Sequence, residues 1–182
     1  MATWAVWVGS VRKGSYNAAV ARALPELAPE GMSFDVLPSV AGFPIYDADL
    51  QEQGFPAVVE DTAARIAKAD GLIIVTPEYN YSVPGGLKNA IDWVSRFPSK
   101  PMAQKAVLIQ SASMGVFGGA RAQYHLRQIL VFLDARVFNV PEVMVGRAQT
   151  LVTDGTLTDE ATRGFIAGQL KAFAAFTESF KS

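Results

Sequence analysis

The fold of this chain is decided by the stretch Gly9-Ser-Val-Arg-Lys-Gly-Ser-Tyr-Asn17, which directly follows the apolar run from Thr3 to Val8. After it, Val20, Leu24 and Leu27 recur with the spacing of one face of an amphipathic helix. A strand, a loop and a helix in this order place unpaired backbone N–H groups and the positive end of the helix dipole where an anion can sit. The side-chain donors in the loop are Ser10, Arg12, Ser15 and Asn17. The stretch therefore predicts a phosphate-binding loop.

The kind of phosphate is restricted by two motifs that the loop lacks. A nucleoside-triphosphate loop requires a lysine directly after its second glycine, and Ser15 stands at that position. The dinucleotide fingerprint requires a glycine where Val11 stands. The loop therefore suits a terminal phosphomonoester, as in FMN, better than a bridging pyrophosphate. The alternative is an ordinary connection between a strand and a helix, because serine and asparagine are common helix caps.

Length and composition indicate one globular unit. The chain has 182 residues, of which 50% are hydrophobic and 18% are charged. This composition argues against disorder, and the length is sufficient for a substantial core. No linker or internal repeat interrupts the chain, so we expect a single domain over residues 1–182.

Several chemistries are excluded by what the chain lacks. It has no cysteine, which excludes disulfides and thiol catalysis. Its single histidine, His125, makes a multi-histidine metal site or a Ser-His-Asp triad unexpected. The formal net charge of −1 gives no overall attraction to nucleic acid or anionic membranes. No apolar run approaches the roughly 20 residues of a membrane span, and no basic region precedes the first apolar segment. We therefore expect a cytoplasmic protein with no metal, nucleic-acid partner or membrane association.

Apolar segments of two kinds alternate along the chain. The predicted strands are 4–8, 33–37, 71–76, 106–111 and about 137–145, and the predicted helices are 17–27, 57–69, 85–95, 120–133 and 159–180. Residues 40–56 are predicted to form one long surface loop. Alternating strands and helices favour an α/β protein with a parallel sheet and right-handed crossovers. Five strands in a chain of this length fit the order 2-1-3-4-5, as in a flavodoxin-like three-layer sandwich.

The loops after strands 1, 3 and 4 meet where the strand order reverses, which is where such sheets bind ligands. The loop at 77–86 carries two aromatic rings, a carboxylate and an amide between two prolines, so it can run extended past a planar ring. The loop at 111–119 has two hydroxyls, and its glycines permit close approach to a flat ligand. Taken singly, each loop can also be an ordinary turn or a tight strand-to-helix connection. Together they predict a flavin site.

Three segments resemble the NADPH-dependent FMN reductase family, in particular its bacterial quinone and chromate reductase branch. They are residues 9–17, Thr76-Pro-Glu-Tyr-Asn-Tyr-Ser-Val-Pro-Gly-Gly-Leu-Lys-Asn-Ala-Ile-Asp-Trp93 and Ser113-Met-Gly-Val-Phe-Gly-Gly-Ala-Arg121. The resemblance implies bound FMN, with NADPH or NADH as the hydride donor. It implies that Ser10, Arg12, Ser15, Tyr16 and Asn17 bind the phosphate end. It further implies that Pro77, Glu78, Tyr79, Asn80 and Tyr81 line the flavin ring, with Ser113 and Gly115 at another edge.

The resemblance also implies an activity, namely two-electron reduction of a quinone by ping-pong hydride transfer, with chromate as a further acceptor. No side chain must act as a nucleophile or an obligatory acid, because the flavin carries the hydride chemistry, so no catalytic residue is assigned. Azo compounds, nitroaromatics or free flavin are alternative acceptors. A flavodoxin-type electron carrier is less favoured, because such carriers rely on a strongly acidic docking surface and this chain is nearly neutral. A flavin-free interaction module that keeps the fold is the remaining alternative.

The helix predicted at 120–133 is apolar over more than one stripe, which indicates a second covered surface. Members of the resembled family are dimers and tetramers. We therefore expect a homotetramer built as a dimer of dimers, with Arg121 and Tyr124 pairing with Glu142 across an interface. His125 on the same helix is interpreted as an interface or surface residue rather than a base, because the hydride mechanism needs no base.

Overall fold

Near-continuous aliphatic runs form one parallel sheet in the computed structural model, which describes residues 2–180. The strands are β1 (Ala2–Val8), β2 (Met32–Val36), β3 (Gly71–Thr76), β4 (Ala106–Ala112), β5 (Arg136–Val137) and β6 (Val143–Val145). The order is β2-β1-β3-β4-β5, with β6 also paired to β4, and every pairing is parallel. This confirms the predicted sheet order. A separate antiparallel hairpin joins β7 (Val152–Thr153) to β8 (Thr156–Leu157).

The five predicted helices begin and end close to their predicted bounds, and a further short helix, Ala48–Glu52, was not predicted. The helices are α1 (Tyr16–Leu27), α2 (Ala48–Glu52), α3 (Ala57–Lys68), α4 (Gly85–Ser95), α5 (Ala120–Phe132) and α6 (Glu160–Glu178). Side chains cap the amino ends of α1 and α6, where Ser15 and Asp159 accept backbone N–H bonds. Across residues 2–180, none of these helices has the length and apolar character that crossing a bilayer requires.

Two apolar clusters on opposite faces of the sheet make three layers. On one face, Val20 and Leu24 of α1 and Phe173 of α6 pack with strand residues such as Trp4 and Leu108. On the other face, α3, α4 and α5 cover the alternate strand residues, with Ile66, Trp93 and Leu126 among the buried side chains. Because both faces are covered, all residues of β3 and β4 are buried. This is the predicted flavodoxin-like sandwich.

The fifth strand is not the single element predicted over about 137–145. It is split into β5, beside the amino half of β4, and β6, beside the carboxyl half. Pro141 lies between the two pieces, and a proline has no N–H to donate to a sheet ladder. The sequence between 40 and 56 also differs from the predicted loop, because it contains a 3₁₀ turn at Val40–Gly42 and the short helix α2.

Candidate functional site

A solvent-open cleft of about 320 Å³ lies at the carboxyl ends of β1, β3 and β4. The predicted residues in its lining are Ser10, Arg12, Ser15, Tyr16, Asn17, Pro77, Glu78, Tyr79 and Ser113. Ala112 and Met114 also line it and were not predicted. Asn80, Tyr81 and Gly115 belong to the same loops but lie outside this lining. The topology therefore brings most of the predicted residues together from three distant segments.

The loop after β1 concentrates positive potential at the start of α1. Ser15 caps the helix, and its Oγ accepts the backbone N–H of Ala18 at 3.2 Å, which leaves its own O–H able to donate. Arg12 is exposed, and its guanidinium donates to the carbonyl oxygen of Gly14 at 2.6 Å. The same guanidinium lies 5.2 Å from the centre of the Tyr16 ring. A cation, a hydroxyl and a helix amino end therefore meet at one end of the cleft, which suits an anion.

Asn17 has a different partner from the one predicted. Its side chain is buried, its Nδ2 donates to the carbonyl oxygen of Ala112 at 2.9 Å, and its Oδ1 accepts the backbone N–H of Ala112 at 2.8 Å. Both functional atoms of the amide therefore hold the end of β4 to the start of α1. The side chain of Asn17 therefore positions the two loops, while its backbone N–H lies in the first turn of α1.

A strained two-residue turn forms the middle of the loop after β3. Tyr79 and Ser82 exchange backbone hydrogen bonds of 3.0 Å in both directions. Between them, Asn80 and Tyr81 have φ angles of 49° and 67°. Positive φ at both central residues is the type I′ pattern, in which asparagine is a usual first residue, as here, and glycine rather than tyrosine is the usual second. The rings of Tyr79 and Tyr81 are 50% and 64% exposed, so burial in the core does not hold them in place.

The Glu78 carboxylate is directed toward α5. Its Oε2 accepts the backbone N–H of Ala122 at 3.2 Å, in the first turn of the helix, and its Oε1 lies 3.5 Å from Nη1 of Arg121. Only 13% of the Glu78 side chain is exposed. Glu78 was predicted to line a flavin ring, and it does line the cleft. Its charged end, however, satisfies a helix terminus and a guanidinium, as expected for a partly buried carboxylate.

The loop after β4 is fixed from beneath by buried polar side chains. Gln123 donates through Nε2 to Oγ of Ser111 and to the carbonyl oxygen of Val143, both at 2.7 Å. Ser111 in turn donates to the carbonyl oxygen of Gly118 at 2.6 Å. Ser111 is fully buried, so one of the two hydroxyls noted in this loop supports the backbone and does not face the cleft. Gln123 belongs to no recognisable motif, so its structural role was not predicted from the sequence.

Gly118 of this loop and Gly146 after β6 lie in close contact with neighbouring backbone. A Cβ on Gly118, which has a φ of 59°, would lie 2.5 Å from the carbonyl carbon of Met144. A Cβ on Gly146 would lie 2.4 Å from the carbonyl oxygen of Val116. Packing within the protein therefore already requires a glycine at 118, and close approach of this loop to a flat ligand stays a prediction. These contacts hold the loop tightly against β6 and Gly146, which follows it.

Residues predicted at a subunit interface have partners within the chain. Oη of Tyr124 donates to Oε2 of Glu142 at 3.2 Å, and Nη2 of Arg127 lies 3.1 Å from the other carboxylate oxygen of Glu142. Nδ1 of His125 lies 3.0 Å from Oγ of Ser82. The pairing of Tyr124 with Glu142 therefore exists without a second copy, and the oligomer stays a prediction.

Comparisons with known proteins agree with this architecture. A family model described as NADPH-dependent FMN reductase matches residues 2–150. The chain is 60% identical to a quinone reductase of Escherichia coli strain K12 over 177 residues, which are 96% of this chain and 94% of that protein. It is 50% identical to an NAD(P)H-dependent FMN reductase of Pseudomonas aeruginosa over 165 residues, covering 90% and 89% of the two chains.

Among solved structures, the flavoenzyme NAD(P)H:(acceptor) oxidoreductase FerB of Paracoccus denitrificans is similar over 98% of both chains, with a TM-score of 0.88 and 35% identity. The sequence match, the fold and the placement of the three loops lead to the same assignment. This chain belongs to the NADPH-dependent FMN reductase family, in its bacterial quinone reductase branch, whose chemistry uses FMN and NAD(P)H.

Proposed function

We propose that this chain is an FMN-dependent NAD(P)H:quinone oxidoreductase that works by a ping-pong mechanism and also reduces chromate. The observation that carries the proposal is one open cleft with anion-binding groups at one end and exposed aromatic residues near the other. Bound FMN supplies hydride acceptance from NAD(P)H and two-electron donation to the acceptor. The side chains around it bind, orient and shield, and no acid or nucleophile is assigned.

The phosphate of FMN is assigned to the start of α1. Arg12, the hydroxyls of Ser10 and Ser15 and the amino end of the helix form a site with the donors that a dianionic phosphomonoester needs. Asn17 takes part through the backbone, since its side chain is committed to Ala112. The donor set fits a monophosphate, because the cleft lining presents one cation, Arg12, beside one helix terminus.

The flavin ring is assigned to the space between the loops after β3 and β4. Pro77, Tyr79 and Ser113 line the cleft there, and Met114 adds an apolar wall. Asn80, Tyr81 and Gly115 lie farther along the same loops and act by setting the shape of this wall. The cleft is open on one side, so one exposed face of the ring would be available to both the hydride donor and the acceptor.

Steady-state kinetics test the proposed function directly. If NAD(P)H and quinone use the same open face in turn, double-reciprocal plots of rate against NAD(P)H at several quinone concentrations should be parallel. Intersecting lines without inhibition by excess substrate would indicate a ternary complex and contradict the shared face. An electron carrier of the flavodoxin type would show no NAD(P)H oxidation with quinone in the absence of a protein partner.

Chromate is proposed as a second acceptor at the same face. Arg121 is 37% exposed and lies beside Glu78 of the cleft lining, so its charge gives an anionic oxidant a favourable approach. Chromate should therefore support NAD(P)H oxidation and should compete with quinone. Competition that is absent, or turnover with quinone only, would remove chromate from the substrate range and leave the quinone assignment in place.

A further inference from the structure

The guanidinium of Arg121 lies between two exposed aromatic rings. Its central carbon is 4.1 Å from the centre of the Tyr81 ring and 4.6 Å from the centre of the Phe117 ring. Tyr81 belongs to the loop after β3, Phe117 to the loop after β4, and Arg121 to the first turn of α5. We propose that this stack is a positioning device: Arg121 holds the two loops of the cleft together and thereby sets the shape of the acceptor side. The proposal rests on the proposed function for its kinetic consequence.

The turn at residues 79–82 needs a contact that stabilises its backbone conformation. Tyr81 has a φ of 67°, which is unfavourable for a bulky residue, whereas asparagine tolerates the φ of 49° at position 80. Strained backbone of this kind persists only where its surroundings determine it. The rings of Tyr81 and Phe117 are each 64% exposed, so core packing does not supply the constraint. The guanidinium of Arg121, between the two rings, supplies this constraint.

Two further contacts from α5 hold the same turn. The Glu78 carboxylate, directly before the turn, lies 3.5 Å from Nη1 of Arg121 and accepts the N–H of Ala122. His125 is one helical turn beyond Arg121, and its Nδ1 lies 3.0 Å from Oγ of Ser82. The beginning, tip and end of the turn are thus each attached to the first turns of one helix.

An arginine is required at the centre of the stack. A guanidinium is planar and offers two faces to two rings, while its edge nitrogens remain able to pair with a carboxylate. A lysine ammonium keeps the charge but cannot be sandwiched in this way. Arg121→Lys therefore removes the stack and leaves the net charge unchanged.

The matched control is Arg136, whose central carbon lies 4.1 Å from the Phe180 ring. Arg136 belongs to β5, which pairs with the amino half of β4, away from the cleft. Arg136→Lys therefore breaks a cation–π contact of equal length at a place where the proposal expects no effect on the cleft.

Hydrogen exchange on the protein without substrates tests the positioning itself. In Arg121→Lys, exchange of the amides of Tyr79 and Ser82 should accelerate about tenfold relative to the wild type, as expected for loss of two cation–π contacts. In Arg136→Lys these amides should exchange at the wild-type rate. Wild-type exchange in Arg121→Lys would overturn the proposal.

Kinetics separate positioning from general stability. Tyr81→Gly removes the ring but relieves the positive φ, so its melting temperature should equal or exceed that of the wild type. Its KM for quinone should nevertheless rise about tenfold, as in Arg121→Lys, with a much smaller change in kcat. A wild-type KM in both variants, or a KM that rises only in step with a falling melting temperature, would overturn the proposal. If the wild type itself shows no quinone turnover, the proposed function fails, and the exchange comparison alone decides the positioning.

Discussion

At the scale of single residues, Arg12 is the side chain that best tests how the protein selects its cofactor. It is exposed, and its contacts are with its own loop and with the ring of Tyr16. Nothing in the core depends on it. Its removal should therefore affect ligand binding with little effect on folding.

Arg12→Ala should weaken FMN binding by about 1.5–3 kcal/mol, the range for a hydrogen bond to a charged group. Binding of riboflavin, which has no phosphate, should be weak in the wild type and almost unchanged in the variant. Fluorescence titration of the apoprotein with both flavins measures these constants. Lys13→Ala is the control, because it removes a neighbouring exposed charge that has no place in the cleft lining. Equal affinity of the wild type for FMN and riboflavin would contradict the phosphate site.

The sequence predicted which residues gather at the cleft better than it predicted what their side chains do there. Asn17, Glu78 and Ser111 are polar residues in the expected loops, yet each directs its side chain to protein. Residue type reveals the capacity to donate or accept a hydrogen bond. It does not reveal whether the partner is a ligand or a backbone group exposed by the end of a neighbouring strand, because that depends on tertiary contacts up to 95 positions apart.

At the scale of elements, the attachment of α1 to β4 fixes the relative position of two cleft loops. The Asn17 side chain makes this attachment through two buried hydrogen bonds to Ala112. Asn17→Ala should leave the N–H and C=O of Ala112 without these partners. The loss of unfolding free energy should be about 1–3 kcal/mol for each unsatisfied group, before any rescue by water.

Urea unfolding measures this loss. Asn139→Ala serves as the control, since Asn139 is exposed and bonds only through a surface contact with Arg127 among the hydrogen bonds described here. The control should be nearly as stable as the wild type. An Asn17→Ala protein with wild-type stability would show that the two elements are held together by other contacts.

Elements with strong periodic signals were predicted to within a few residues, and β3 and α4 have the predicted bounds. The exceptions are short. α2 has five residues, too few for a helical period, and is defined by the Asp47 cap. β7 and β8 have two residues each. Such elements depend on turn geometry and tertiary contact rather than on a repeating apolar pattern.

At the scale of the whole molecule, α5 presents an apolar surface to solvent. Val131 is 75% exposed and lies on the same side of the helix as Tyr124, seven residues earlier, which is 53% exposed. The prediction of a homotetramer rests on this surface, because closed symmetry would cover it in every copy. Arg121 and Tyr124 already have partners in their own chain. The prediction of a tetramer therefore depends on the exposed apolar side chains of α5, such as Val131.

Light scattering at micromolar concentration should give the wild type a mass of about four times 19.5 kDa. Val131→Glu should lower this mass, because a charge would be buried in the interface, while far-ultraviolet circular dichroism stays that of the wild type. Val36→Glu changes a valine that is 62% exposed on β2, away from α5, and should leave the tetramer intact. A wild-type mass of 19.5 kDa would refute the oligomer.

The close contact of Gly118 with β6, and of Gly146 with the loop after β4, limits which substitutions this protein can accept. Adding even one methyl group at Gly118 or Gly146 would force backbone atoms apart, since the nearest atoms would lie 2.5 Å and 2.4 Å away. Mutagenesis libraries that seek new acceptors will therefore recover few viable clones at these two sites. Met114 and Val116 on the same loop are 59% and 69% exposed, so replacement of these two side chains should be tolerated. Substitutions at those side chains can therefore change which acceptors are reduced, while the two glycines preserve the backbone conformation of the loop.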